Sequence, residues 1–217
     1  MSRALRRALL GWCGLGLLPL EAGAALPTGT WDFQVLLDGK PIGEHRFQVE
    51  GGNGELTVRS NARFDVKLLF IPAYRYRHSA TERWRGDCLV QMDARTDDNG
   101  TLHQVQMSDG PQGPTVTADG KTEKLGACPM SFAYWTPKIL QQQRLLNAQT
   151  GEYQAVQIRS LGESTITVRG VPVRAAHWRI EGPEQPLDLW YSPSGEWLQL
   201  ESSVSDGKRL RYQLKPR

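Results

Sequence analysis

Hydrophobic and polar residues alternate with a period of two along most of the chain, in short runs separated by turn residues. This is the pattern of antiparallel sheets. Trp31, Phe33, Val35 and Leu37 alternate with polar neighbours until Asp38-Gly39-Lys40-Pro41 turns the chain. Gly43, His45, Phe47 and Val49 share one face of the next run, which ends at Gly51-Gly52-Asn53-Gly54. Leu56, Val58, Ser60, Ala62, Phe64 and Val66 continue the alternation on a third run. In the C-terminal half, Val168, Val171 and Val173 form one run and Leu187, Leu189 and Tyr191 another, followed by the turn Ser192-Pro193-Ser194-Gly195 and the stretch from Trp197 to Val204. Asp206-Gly207 is a hairpin signal that returns Leu210, Tyr212 and Leu214 as the last strand. The pattern predicts an all-β fold, a curved antiparallel meander of about ten strands.

One segment breaks the rhythm. Thr136 followed by Pro137 reads as an N-cap with proline at the first helical position, and Lys138 to Leu146 is rich in helix formers. A single helix of about ten residues is expected there. Ile139, Leu140, Gln143 and Leu146 fall at helical spacing, so its apolar face should pack on the sheet as a plug or lid. The expected architecture is therefore a half-barrel or barrel-like sheet wrapped round one helix.

The strand from Tyr74 to Arg85 carries the candidate chemistry. Alternation places Tyr74, Tyr76, His78, Ala80, Glu82 and Trp84 on one face and Arg75, Arg77, Ser79, Thr81, Arg83 and Arg85 on the other. The aromatic face must be the inner one, which buries His78 and Glu82, and His45 points inward from its own strand. Buried polar groups need partners. Two readings are open: His45, His78 and Glu82 hold a metal or a polar ligand head group, or they are interior groups bonded to tyrosine hydroxyls. The arginine face is either a site for phosphate or lipid head groups or a solvated face that discourages edge pairing.

The N-terminus changes the setting. Arg3, Arg6 and Arg7 precede an apolar core from Ala8 to Leu20, and Ala22-Gly23-Ala24 offers a small-x-small cleavage site. Residues 1–24 thus read as a signal peptide and 25–217 as one β-rich domain, exported to the periplasm. The apolar core is too short for a membrane span, and no other stretch is long and apolar enough. Cleavage removes three arginines and one glutamate, so 26 basic and 23 acidic residues become 23 and 22. That near-neutral balance argues against nucleic acid as a partner. Cys88 and Cys128 are the two cysteines that remain, and in an oxidising compartment an even pair reads as a disulfide.

No nucleophile elbow, zinc-protease helix, phosphate loop or dinucleotide fingerprint is present, and no cofactor or catalytic residue is implied. Asp97-Asp98-Asn99-Gly100 lacks the spaced acidic positions of a calcium loop and reads as a hairpin turn.

Several strings together resemble an uncharacterised family of exported bacterial proteins, a domain-of-unknown-function family. They include V-L-L-D-G-K-P-I-G from Val35, A-R-F-D-V-K from Ala62, A-Y-R-Y-R-H from Ala73, M-S-F-A-Y-W from Met130, R-L-L-N-A-Q-T-G from Arg144 and D-L-W-Y-S-P-S-G-E-W-L from Asp188. The resemblance brings no activity with it. More distantly, the β-meander with one helix and the closing W-Y-S-x-x-G-E-W-L strand pair are similar in architecture to periplasmic lipid-carrier half-barrels. The leading expectation is a non-enzymatic protein that binds a lipid or other apolar small molecule in the concave face of the sheet, through His45, Tyr76, His78, Glu82, Trp84, Tyr134 and Trp135. The alternative is a structural or partner-binding envelope protein whose core is closed. An exported hydrolase or metal-dependent enzyme using His45, His78 and Glu82 comes third.

Overall fold

The computed structural model describes residues 27–68, 71–204 and 207–216. The expected signal peptide and Asp206 of the expected last hairpin lie outside the described residues. Among the described residues the chain forms fifteen strands, half as many again as alternation predicts. The first half contains β1 (Gly29–Leu37), β2 (Lys40–Gly52), β3 (Glu55–Leu68), β4 (Ile71–Arg85), β5 (Cys88–Asp98), β6 (Thr101–Gly110), β7 (Gly113–Ala118) and β8 (Lys121–Lys124). A long connection leads to β9 (Arg144–Leu146), β10 (Tyr153–Ala155), β11 (Gln157–Val168), β12 (Val171–Glu181), β13 (Leu187–Tyr191), β14 (Trp197–Ser203) and β15 (Arg209–Leu214).

Thirteen strands make one antiparallel sheet in the order β11-β12-β13-β14-β15-β1-β2-β3-β4-β5-β6-β7-β8, and β9 and β10 form a separate two-stranded sheet. Each pair in the large sheet joins neighbours in sequence except β1 with β15, where Phe33 lies opposite Leu214. That pairing makes the meander continuous across the chain ends. The sheet stays open between β8 and β11. All four residues of β8 are exposed and three of them are charged, a sequence that discourages a further strand from adding at that edge.

Turn chemistry sets the hairpins. Asn99 and Gly100 both have positive φ (52° and 96°), the primed turn expected from their sequence, and they join β5 to β6. Gly43 has a different task, because a Cβ there would sit 1.9 Å from the backbone oxygen of Arg63 on β3. Only glycine permits this approach, beside the register shift between Val35 and Leu36 where β1 meets β2.

The inner face is apolar, as alternation requires. Phe33, Val35, Val49, Val58 and Leu89 are buried, and Phe33 and Phe47 pack against Trp197 with ring centroids 4.3 Å and 5.2 Å apart. The expected run through Val168, Val171 and Val173 is interrupted: β11 ends at Val168, Arg169 and Gly170 form a turn at positive φ, and Val171 is 59% exposed.

The expected helix is corrected. Thr136 does cap a helical start, its hydroxyl accepting from the Lys138 N–H at 3.3 Å, but the product is a five-residue 3-10 turn, Pro137–Gln141. Gln142 is already extended, and Arg144–Leu146 forms β9. A helix of about ten residues is marginal by itself. Here, tertiary pairing wins: the Leu146 N–H donates to the Met130 carbonyl at 2.8 Å, β9 pairs with β10, and Leu145 and Leu146 become fully buried. The sheet therefore wraps an irregular connection rather than a helix. One end of that connection is tied to β5 by the Cys88–Cys128 disulfide and by a hydrogen bond from the Leu89 N–H to the Pro129 carbonyl, 2.9 Å.

Candidate functional site

Between the inner face of the sheet and the connection lies a cavity of about 280 Å³. Strands β2, β3 and β4 supply His45, Ser60, Tyr76, His78, Ala80 and Glu82; the connection supplies Ser131, Phe132, Ala133, Tyr134 and Trp135. Ser60, Ala80, Glu82, Ser131 and Trp135 are buried and form the floor, whereas Asn147, Ala148, Gln149, Pro183 and Leu187 are partly exposed and form the rim.

Six of the seven residues singled out in the sequence line this cavity: His45, Tyr76, His78, Glu82, Tyr134 and Trp135. Trp84 stands one layer behind. Its ring meets that of Trp135 edge to face at 5.5 Å, and its indole N–H donates to Glu82 Oε2 at 2.9 Å. It therefore orients the carboxyl group.

The polar groups are held one by one. His45 Nε2 lies 2.7 Å from Ser60 Oγ and its Nδ1 3.3 Å from the Tyr212 hydroxyl, while His78 Nδ1 lies 2.9 Å from Thr96 Oγ1. The Tyr76 hydroxyl donates to Gln149 Oε1 at 3.1 Å. Burial favours the neutral form of each. It holds His45 well below the usual imidazole range, helped by the neighbouring His78, and it pushes His78 down to about 4. Both imidazoles keep some accessible surface although protein surrounds them, as side chains facing an internal cavity do. Burial raises Glu82 to about 7, against the opposing pull of Ser131 and the Trp84 N–H. It also raises the hydroxyls of Tyr76, Tyr134 and Tyr212, so all three are neutral donors.

Two polar atoms on residues of the floor lack a hydrogen bond: the Trp135 indole N–H and Ser131 Oγ. Ser131 Oγ lies beside the Glu82 carboxyl, near enough to favour its charged form, yet out of bonding geometry with it. Of the two, the Trp135 N–H is the clearer case, since an indole can only donate.

The histidine rings of His45 and His78 are 6.4 Å apart, and three of their four nitrogens are engaged: both of His45 by Tyr212 and Ser60, and Nδ1 of His78 by Thr96. Among the described residues no three His, Cys, Asp or Glu side chains are grouped as a metal site. On the opposite face of β4, Arg75 pairs with Asp97 and Arg77 with Asp65, both at 2.8 Å, and Arg85 with Glu55 at 3.7 Å. Those charges are balanced within the sheet.

Sequence reasoning missed Ser60, Ser131, Asn147, Gln149 and Tyr212. Ser60 and Tyr212 were visible as inward positions of alternating runs. Ser131 comes from the irregular connection, and Asn147 and Gln149 from the turn between β9 and β10, where no period marks the direction of a side chain.

The model of the family described as "Domain of unknown function (DUF6134)" matches residues 33–215. Among solved structures, the chain is similar to a β-barrel-like protein of the domain of unknown function DUF1849 from Brucella abortus, with 10% identity and a TM-score of 0.64. The match covers 87% of this chain and 96% of the other, and at that identity it shows the fold alone. No curated protein matches the chain.

Proposed function

We propose that this chain, which belongs to the DUF6134 family of domains of unknown function, is an exported, periplasmic protein that binds a small amphipathic or lipid-like molecule between its sheet and the connection, without catalysing a reaction. The disulfide points to a non-cytoplasmic environment, and no helix among the described residues is long and apolar enough to cross a membrane. The binding reading rests on the cavity, whose walls combine aromatic and aliphatic surface with the neutral polar side chains of His45, Tyr76 and His78 and the Glu82 carboxyl. Ligand pockets keep a few polar groups of this kind among apolar walls.

A cavity of about 280 Å³ takes a small molecule or the end of a single chain.

The test is native mass spectrometry and organic extraction of the mature protein purified from the periplasm of a bacterial host. A stoichiometric small amphipathic mass is expected. A clean apo mass, with no uptake of short-chain amphiphiles, would favour the competing reading of a structural envelope protein with a closed core.

A further inference from the structure

Glu82 is a buried carboxyl group without a counter-ion. Its cross-strand neighbours are Val58 on β3 and Met92 on β5, both apolar and buried. The groups that favour its charged form are the Ser131 hydroxyl and the Trp84 indole N–H, which holds Oε2 at 2.9 Å, and both are neutral. Among the described residues no lysine or arginine lines the cavity, and burial keeps its two imidazoles, His45 and His78, uncharged. A carboxylate taken out of water without a cation is costly. Glu82 nevertheless lines the cavity and is 7% exposed. The cavity is the open side from which a positive charge can reach it. Tyr76, Phe132 and Tyr134 line the same chamber, and the faces of aromatic rings attract ammonium groups. An anionic end group would meet a carboxyl group there and no cation.

Building on the binding reading above, we propose that the ligand is a cationic amine with an apolar tail, and that Glu82 is its counter-ion. The ion pair needs the ionised carboxylate, so binding draws the proton off Glu82. Affinity therefore rises with pH through about 7, where burial places this group. The other titratable groups facing the cavity do not change between pH 6 and pH 8: burial keeps His45 and His78 neutral, and Tyr76, Tyr134 and Tyr212 retain their protons. An alkylammonium stays charged throughout.

Three probes that differ only at the end group test this: octylammonium, 1-octanol and octanoate. They are titrated by calorimetry at pH 6 and pH 8 into the mature, disulfide-bonded protein. At pH 8 octylammonium should bind about tenfold or more tighter than either other probe. It should also bind about tenfold tighter at pH 8 than at pH 6, whereas octanol should gain nothing from the rise. Glu82→Gln, checked for an unchanged circular dichroism spectrum, should bring octylammonium to within about threefold of octanol and abolish its pH dependence. Octanol or octanoate binding as tightly as octylammonium would overturn the counter-ion assignment while leaving the pocket intact. So would an octylammonium affinity that is flat with pH, or a preference that survives Glu82→Gln. Binding of none of the three would overturn the assignment and the binding reading together.

Discussion

The Glu82 carboxyl group gives the account a quantitative handle on stability. It is 7% exposed, and burial raises it from 4.5 to about 7. The folded state thus holds the proton more tightly than the unfolded chain does. The associated stability is fully present below pH 4.5 and is lost as pH rises through about 7. Two and a half pKa units correspond to about 3 kcal/mol. Glu82→Gln imitates the protonated acid: it is neutral, nearly isosteric, and its amide oxygen can still accept from the Trp84 indole. The variant and the natural protein should therefore be similarly stable at pH 4.5, and the variant more stable by about 3 kcal/mol at pH 8. For a chain of this size that is a melting-temperature difference of roughly 6–12 °C. His78 titrates in the opposite sense, since burial lowers it to about 4 and its contribution is lost as pH falls below 6.5. Because His78 is present in both proteins, its effect cancels in the difference. Urea denaturation of both proteins across pH 4.5 to 8, disulfide intact, is the assay. A difference that stays flat with pH, or a variant less stable at pH 8, would refute the assignment of a costly buried carboxylate.

Two further outcomes are expected. Replacing both Cys88 and Cys128 by alanine opens a loop with a sequence separation of 40 and should cost about 4 kcal/mol in the chain-entropy treatment; chemical denaturation would show it, and reduction of the natural protein should reproduce it. Gly43→Ala would place a methyl group 1.9 Å from the Arg63 oxygen and should destabilise by about 3 kcal/mol or more, whereas Gly39→Ala, with open space around its Cβ, should lose only what its positive φ demands.

Much of the sheet was legible because its inner positions are apolar at strict alternation, as in β1, β3 and β4. The strands that went unread have less to show. In β6 the buried positions are Val105 and Met107, and β8 buries nothing. The register shift between Arg83 and Trp84, opposite the start of β5, hides that strand's period. The expected helix fails for another reason. Thr136-Pro137 is a true helix start, but the path of the chain beyond it is decided by pairing with Met130 and with Tyr153–Ala155, partners no local pattern reveals. The same limit divides the site. The strand-borne His45, Tyr76, His78 and Glu82 could be placed inward by counting, whereas Ser131 depends on how the connection crosses the sheet, and Asn147 and Gln149 on the turn between β9 and β10.

Filling the cavity from its floor distinguishes a ligand pocket from a packed core. Ala80 lines the cavity on β4 and is 5% exposed. Ala80→Leu adds three carbons there, which a ligand pocket of about 280 Å³ can take up without strain. Stability and octanol binding should be measured together on the natural protein and this variant. The account predicts equal or greater stability, by up to about 2 kcal/mol from the added apolar burial, with octanol binding abolished. A variant destabilised by about 1–3 kcal/mol, as overpacking of a filled core would produce, or one that still binds octanol as before, would contradict it.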